Sequence, residues 1–229
     1  LVRGEWRRFT SSLDVNDSNI DDDNTGFDVV ALNIQENGDR QPINYVTPPG
    51  VVREQLYNNN TIINQNEQSL SLRVYDKLGG TVNGLENNDS RAVFKNVNID
   101  MRQFKKLRMF LHAEAVQNGD LQDEELTAFI RFGNDFTDNF YQVEMPLKLS
   151  QYNNQSAENI WLADNEIDVS LSLLTALKSK KIANTLSPPD ANGIYFLNEM
   201  DLGSSKDRLN IGIKGNPNFG LVRTLMIGV

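Results

Sequence analysis

A mostly antiparallel β-sandwich is the fold that this sequence predicts, and three features point to it. Short runs alternate apolar and polar residues at period two, the connections between them are rich in Gly, Pro and Asn, and only one segment carries a helical stripe. The cleanest alternation is 107–115. There Leu107, Met109, Leu111, Ala113 and Ala115 share one face, and Arg108, His112 and Glu114 share the other. Extending the pattern to neighbouring runs gives an expected core of Leu107, Met109, Leu111, Leu126, Ile130, Val143, Ile211 and Ile213.

Taken in order, residues 1–13 hold a strand whose large apolar groups are Trp6 and Phe9. Residues 14–28 (DVNDSNIDDDNTGFD) form a polar loop dense in carboxylates and Asn. A strand follows over 27–34, then a turn at Gly38-Asp39. The segment 45–50 is extended and rigid, because Pro48 and Pro49 fix φ and exclude helix. Leu70, Leu72 and Val74 alternate in a strand over 69–78, and Gly79-Gly80 and 87–90 mark loops. Asp100 and Gln103 have the spacing of a helix N-cap and its reciprocal partner, which predicts one helical turn before 107–115. Tyr141, Val143, Met145 and Leu147 alternate over 140–147, and 151–159 reads as polar linker. After a short strand at 167–169, Ser170 caps the one helix, with a stripe of Leu171, Leu174, Leu177 and Ile182. Lys178, Lys180 and Lys181 lie near its C-terminus, where the dipole favours cations, and Ser187-Pro188-Pro189 stops it. A terminal hairpin closes the chain: Leu209, Ile211 and Ile213, a turn over 215–220, and a return over 221–229.

At 229 residues the chain suits a single β-sandwich domain over 1–229, with 1–47 a peripheral acidic segment. A chain of this size buries roughly 70–75% of its unfolded surface, so it needs no covalent staple. It contains no Cys, which excludes disulfides, thiolate metal sites and a catalytic thiol. Twenty-two Lys+Arg against 31 Asp+Glu leave a net charge of −9, which argues against nucleic acid and anionic lipid as partners. No apolar run approaches the ~20 residues of a membrane helix, and no signal-peptide pattern is present. The chain starts at Leu1 without Met and stops at Val229 inside a strand-like run. A domain cut from a longer protein is therefore expected, with any targeting signal or anchor outside it.

Several fragments carry candidate chemistry. Asp21, Asp23 and Gly26 match the first, third and sixth positions of a calcium loop, but the twelfth is Leu32 where a bidentate Glu is needed. Glu166 and Asp168 place two carboxylates on one strand face, as in the Glu-x-Asp-x-x-Glu strand of laminarinase-like jelly-roll hydrolases. Leu171 stands where the third acid belongs, with Ser170 beside it, so the proton donor is missing. His112 is the only His, so a Ser–His–carboxylate triad would have to use it, and no nucleophile-elbow Gly-x-Ser-x-Gly accompanies it. Arg102, Lys105, Lys106 and Arg108 form a basic cluster in an acidic chain: a landing place for an acidic partner, or a solvated face paired to nearby carboxylates. Trp161, Tyr141, Phe136 and Phe140 could stack on sugars or pack a core. No catalytic, cofactor or metal set is complete.

The order of pieces resembles the galactose-binding-like jelly roll of carbohydrate-binding modules, with Asp100, Leu107, Trp161, Ile167 and Ile213 in its characteristic places. A carbohydrate-binding module or degenerate glycoside hydrolase is the alternative function this implies. A second resemblance rests on longer strings: PPGVVREQ (48–55), YNNNTIINQNEQSL (57–70), SRAVFK (90–95), DMRQFKKLRMF (100–110) and KGNPNFG (214–220) with MIGV (226–229). Together they are similar to the SprA/Sov family of Bacteroidetes, over most of 48–229. That family forms the large outer-membrane β-barrel translocon of the type IX secretion system and supports gliding motility. The resemblance implies a non-enzymatic domain of an outer-membrane protein, outside the barrel strands, on the extracellular rather than the periplasmic side. It implies as partners the rest of the barrel, a lateral-gate lipid-barrel protein (PorV), a plug protein or secreted cargo. It implies no cofactor, no catalytic residues and no direct membrane insertion by this domain.

Overall fold

The computed structural model describes residues 5–10, 13, 15, 25–53, 55–58, 61–64, 66–77, 90–116, 119–153 and 156–229. Its strands are β1 (Arg7–Phe9), β2 (Thr25–Asn33), β3 (Gln55–Asn58), β4 (Thr61–Asn64), β5 (Gln68–Asp76), β6 (Ala92–Ile99), β7 (Lys106–Phe110), β8 (Thr127–Gly133), β9 (Phe140–Pro146), β10 (Glu166–Ser170), β11 (Tyr195–Asn198), β12 (Asn210–Lys214) and β13 (Val222–Gly228). Two single-turn helices, α1 (Ile34–Asn37) and α2 (Ala157–Ile160), accompany one longer helix, α3 (Leu171–Ile182). The expected β-rich, antiparallel, sandwich-like architecture is what forms.

Seven strands make the main sheet, in the order β1-β6-β13-β8-β9-β12-β11, every neighbouring pair antiparallel. Its register explains why period-two alternation builds a core. One row runs Ile227, Ile130, Val143, Ile211, Leu197 across five strands, and the next runs Leu225, Phe132, Tyr141, Ile213, Tyr195. Both rows lie on one face, and the antiparallel pair β7–β10 and α3 form the layer over it. Ile167 and Val169 of β10 and Leu171, Leu174 and Leu177 of α3 belong to the same core cluster. Each fully buried Leu or Ile there contributes roughly 1.5–3 kcal/mol. All eight expected core residues join this cluster, with Leu107, Met109, Leu111 and Leu126 half-buried at its margin.

A second cluster, Ile43, Tyr45, Ile160 and Trp161, holds the segment after α1 against α2. Trp161 Nε1 donates to the Val46 carbonyl at 2.8 Å. The far face of the main sheet carries a third cluster, in which Ala92, Phe129 and Met226 are covered by Phe9, Phe94 and Phe136, the last three meeting edge to face.

The structure corrects several expectations. β7 ends at Phe110, and 111–116 continues without strand pairing. The terminal hairpin does not form: β12 and β13 are separated in the sheet by β8 and β9. Alternation gave each strand its buried face but not its neighbour. The 215–221 connection instead crosses the β8–β9 turn and is knitted to it. Asn216 N donates to Asn139 Oδ1 at 3.0 Å, Asn218 N to Asn134 Oδ1 at 2.8 Å, and Asn134 Nδ2 to the Leu221 carbonyl at 2.9 Å. Gly215, at φ +60, fits this crossing because a Cβ there would meet the Asp138 carbonyl oxygen at 1.9 Å.

Ile182 is 76% exposed rather than buried. The last turn of α3 lies over the 215–217 turn, where Lys178 and Lys181 donate to the Pro217 and Gly215 carbonyls, and not over the sheet. The helix also stops before its prolines, at Ala183 and at Asn184 with φ 55. Ser170 caps its start as expected. The helical turn after Asp100 is a 3₁₀ turn, Met101–Gln103. Asp100 caps it by accepting from Arg102 N and from the Arg102 guanidinium, in place of a reciprocal bond from Gln103. The 151–159 linker contains the start of α2. The acidic stretch with Asp21 and Asp23, and Gly79-Gly80, lie outside the described residues. Gly26 and Leu32, which would be the later positions of a calcium loop, are inside β2.

Candidate functional site

The two charged fragments singled out in the sequence meet each other. Antiparallel register sets Asp168 opposite Arg108 and Ser170 opposite Lys106, so the alternating side chains of both strands point to one face. Each cation reaches the diagonal acid. Arg108 Nε donates to the Glu166 carboxylate, and Lys106 Nζ donates to Asp168 Oδ2 at 3.1 Å. Arg102 is taken by Asp100, at 2.7 Å. Period two therefore does place Glu166 and Asp168 on one face, but it presents them to guanidinium and ammonium rather than to a reacting bond. Leu171, in the place of the third acid, is the first residue of α3 and is buried in the core. The ladder can fix two strands in register.

His112 sits in a half-buried polar node. Its Nε2 lies 3.1 Å from Glu114 Oε2, and its Nδ1 lies 2.9 Å from the Ile160 carbonyl oxygen and 3.1 Å from Ser150 Oγ. Arg40 donates to both oxygens of Glu114 and to the Ile43 carbonyl. Burial lowers the His112 pKa, the Arg40 charge lowers it further, and the Ile160 carbonyl acts in the opposite direction. Both ring nitrogens face acceptor oxygens, so a neutral ring donates to one of them and only the charged ring to both. Serine, histidine and carboxylate are thus brought together. Ser150 is nevertheless buried, and its Oγ also lies 2.9 Å from the Ile160 carbonyl. The node joins the unpaired run after β7 to α2 and to the Arg40–Ile43 segment, bridging residues up to 74 apart in sequence. Its chemistry is that of a clasp.

The four aromatics are packed. Tyr141, Phe140 and Trp161 are buried, and Phe136 is half-buried beside Phe94. Tyr141 stacks on Phe219 at 4.8 Å, within the core.

Sequence reasoning missed a polar line on the far face of the main sheet. Arg131 Nε donates to Gln142 Oε1 at 2.6 Å, Gln142 Nε2 donates to Glu144 Oε1 at 2.6 Å, and Arg131 lies 4.0 Å over the Phe140 ring. Burial pushes the Arg131 pKa down to about 10 despite Glu144 and Asp190, and burial raises that of Glu144. The signal was present: Arg131 interrupts TAFIRFG, a run apolar at both alternating sets of positions, as a strand covered on both faces reads. Also missed was Asp135, whose carboxylate organises the β8–β9 turn through backbone N–H groups.

Among the described residues no group of His, Asp and Glu converges as a metal site, and no helix is long and apolar enough to cross a membrane. In comparison with known proteins, the family model SprA_N, described as motility related/secretion protein, matches residues 1–229. No curated protein matches the chain.

Proposed function

We propose a non-catalytic role from one premise: this chain belongs to the SprA_N family of motility related/secretion proteins, whose model spans residues 1–229. Within that theme the domain acts as a rigid folded module of an outer-membrane translocon of the type IX secretion system, contributing to protein export and gliding. It stands at the cell surface and contacts its own barrel and the channel's partner proteins. The observation that carries the non-catalytic part is the pairing of Glu166 with Arg108 and Asp168 with Lys106, which commits the most enzyme-like fragment of the chain to holding two strands together. The rigid part is supported by the layered core and by the crossing of the 215–221 connection over the β8–β9 turn. A net charge of −9 favours solubility and repels other acidic surfaces in a crowded setting.

The test is an in-frame deletion of residues 48–229 from the full-length protein. The barrel is expected to insert, while export or its gating and surface motility fail. Normal secretion and normal pull-down of partner proteins from that strain would sink the proposal. Cleavage of β-glucan by the purified domain, lost in Glu166→Gln, would overturn its non-catalytic half.

A further inference from the structure

On the far face of the main sheet a cleft of about 400 Å³ opens above Arg131. Phe9, Phe136 and Ile194 line it, Phe140 lies beneath the guanidinium, and Lys214 stands beside Phe140 on the neighbouring strand. Arg131 is only 6% exposed, so its charge is held where water screens it poorly. Its Nε is used by Gln142, and one terminal nitrogen donates to the Phe136 carbonyl at 2.9 Å. The other terminal nitrogen has no partner among the described residues, and neither has the Lys214 ammonium. The carboxylates nearby do not fill this gap. Glu144 reaches Arg131 only through Gln142, and Asp190 spends one oxygen on the Ile194 backbone N–H at 2.7 Å.

We propose that this cleft binds a carboxylate carried on an aromatic or branched apolar group. Two donors, the Arg131 N–H₂ that opens on the cleft and the Lys214 ammonium, suit the two oxygens of a monoanion; a phosphate dianion would bring more charge and more acceptors than they satisfy. The Phe9, Phe136 and Ile194 walls suit an apolar body, and the volume lies within the ~300–1,000 Å³ range of small-ligand sites. An anion there would supply the direct partner that the buried guanidinium lacks and counter the effect of burial on it. The site is local: Arg131 and Lys214 line the cleft itself, walled by aromatics, while Glu144 and Asp190 act on the guanidinium from nearby. It stands independently of the role in secretion.

The ligand's source is either a free small acid or the terminal residue of a peptide, and two probes separate them. The 229-residue chain is titrated with 3-phenylpropionate and with N-acetyl-phenylalanine, each against its uncharged primary amide, following the Phe136 and Ile194 backbone resonances by NMR. Both acids are expected to shift these resonances saturably, with each amide weaker by about tenfold or more, as loss of a charge-assisted bond implies. The tighter of the two acids identifies the source. Lys214→Met, a half-exposed position that leaves the sheet intact, is expected to weaken the acids several-fold and the amides not at all. Equal binding of acid and amide, shifts confined to residues outside the cleft, no shift at all, or acid affinity unchanged in Lys214→Met would overturn the proposal. Because Arg131→Met could disturb the fold, the acid–amide comparison in the unmodified chain carries the decision.

Discussion

Replacing Asp135 should weaken the fold by an amount that depends on pH, and the geometry fixes both size and sign. Asp135 Oδ1 accepts the backbone N–H groups of Thr137, Asp138 and Asn139 at 3.0, 2.6 and 3.0 Å, and Oδ2 accepts from Asn139 Nδ2 at 3.0 Å. Desolvation pushes its pKa up, but these four donors outweigh it and hold the carboxyl at about 2, against 3.8 unperturbed. A shift of that size is worth roughly 2 kcal/mol, and partial exposure trims it to about 1–2 kcal/mol. Because the folded pKa is depressed, this stability is fully present above about pH 4 and is lost as pH falls through 2. Asp135→Ala adds the cost of orphaned N–H groups and loosens Asn139, on which Asn216 is docked, for a total of about 2–3 kcal/mol at pH 7. Asp135→Asn keeps an acceptor but not the charge, and should cost about 1–2 kcal/mol. Urea unfolding followed by the fluorescence of Trp6 and Trp161, at several pH values from 7 to 2, measures both. The difference between the unmodified chain and Asp135→Asn should shrink below pH 4. A difference constant over pH 4–2, or a loss under 0.5 kcal/mol in Asp135→Ala, would refute the assignment of these donors as the cause.

Three further outcomes follow from the same structure. Gly215→Ala must relieve a Cβ placed 1.9 Å from the Asp138 carbonyl oxygen at φ +60, so a loss of about 2–4 kcal/mol in urea unfolding is expected, and an unchanged midpoint would contradict the crossing. The His112 pKa is lowered from 6.5 in the folded state, so its neutral form is favoured by folding. Stability should therefore decline as pH falls below about 6.5, and His112→Gln should flatten that decline; equal slopes for the two proteins would count against the clasp. Arg108→Gln and Lys106→Gln, at side chains 59% and 61% exposed, should move the urea midpoint far less than Asp135→Ala, and any effect should vanish in 1 M salt. A large, salt-insensitive loss would mean that the β7–β10 ladder does more than hold register.

How much was legible depends on whether a property belongs to one strand or to two. Ile130, Val143, Ile211 and Ile213 were identified as core because alternation within a strand reports its own buried face. Partnership is a relation between strands, and no local pattern encodes it: β12 and β13 alternate as a hairpin would, yet β8 and β9 lie between them. The same limit governs the site. Glu166 and Asp168 read as two acids of a set of three, and the cluster with Lys106 and Arg108 as either a docking patch or a face paired to carboxylates; which carboxylates pair with it lies in the strand about 60 residues away. His112 could not be linked to Arg40 for the same reason. Arg131 differs, and the difference is physical. A charge on a half-exposed strand face is cheap and its partner optional, whereas a charge inside a run apolar at both sets of alternating positions must be desolvated whatever its neighbours are. Such a residue is retained only where something offsets the cost. Here Gln142, Phe140 and the Phe136 carbonyl offset part of it, and one guanidinium nitrogen is left facing the cleft.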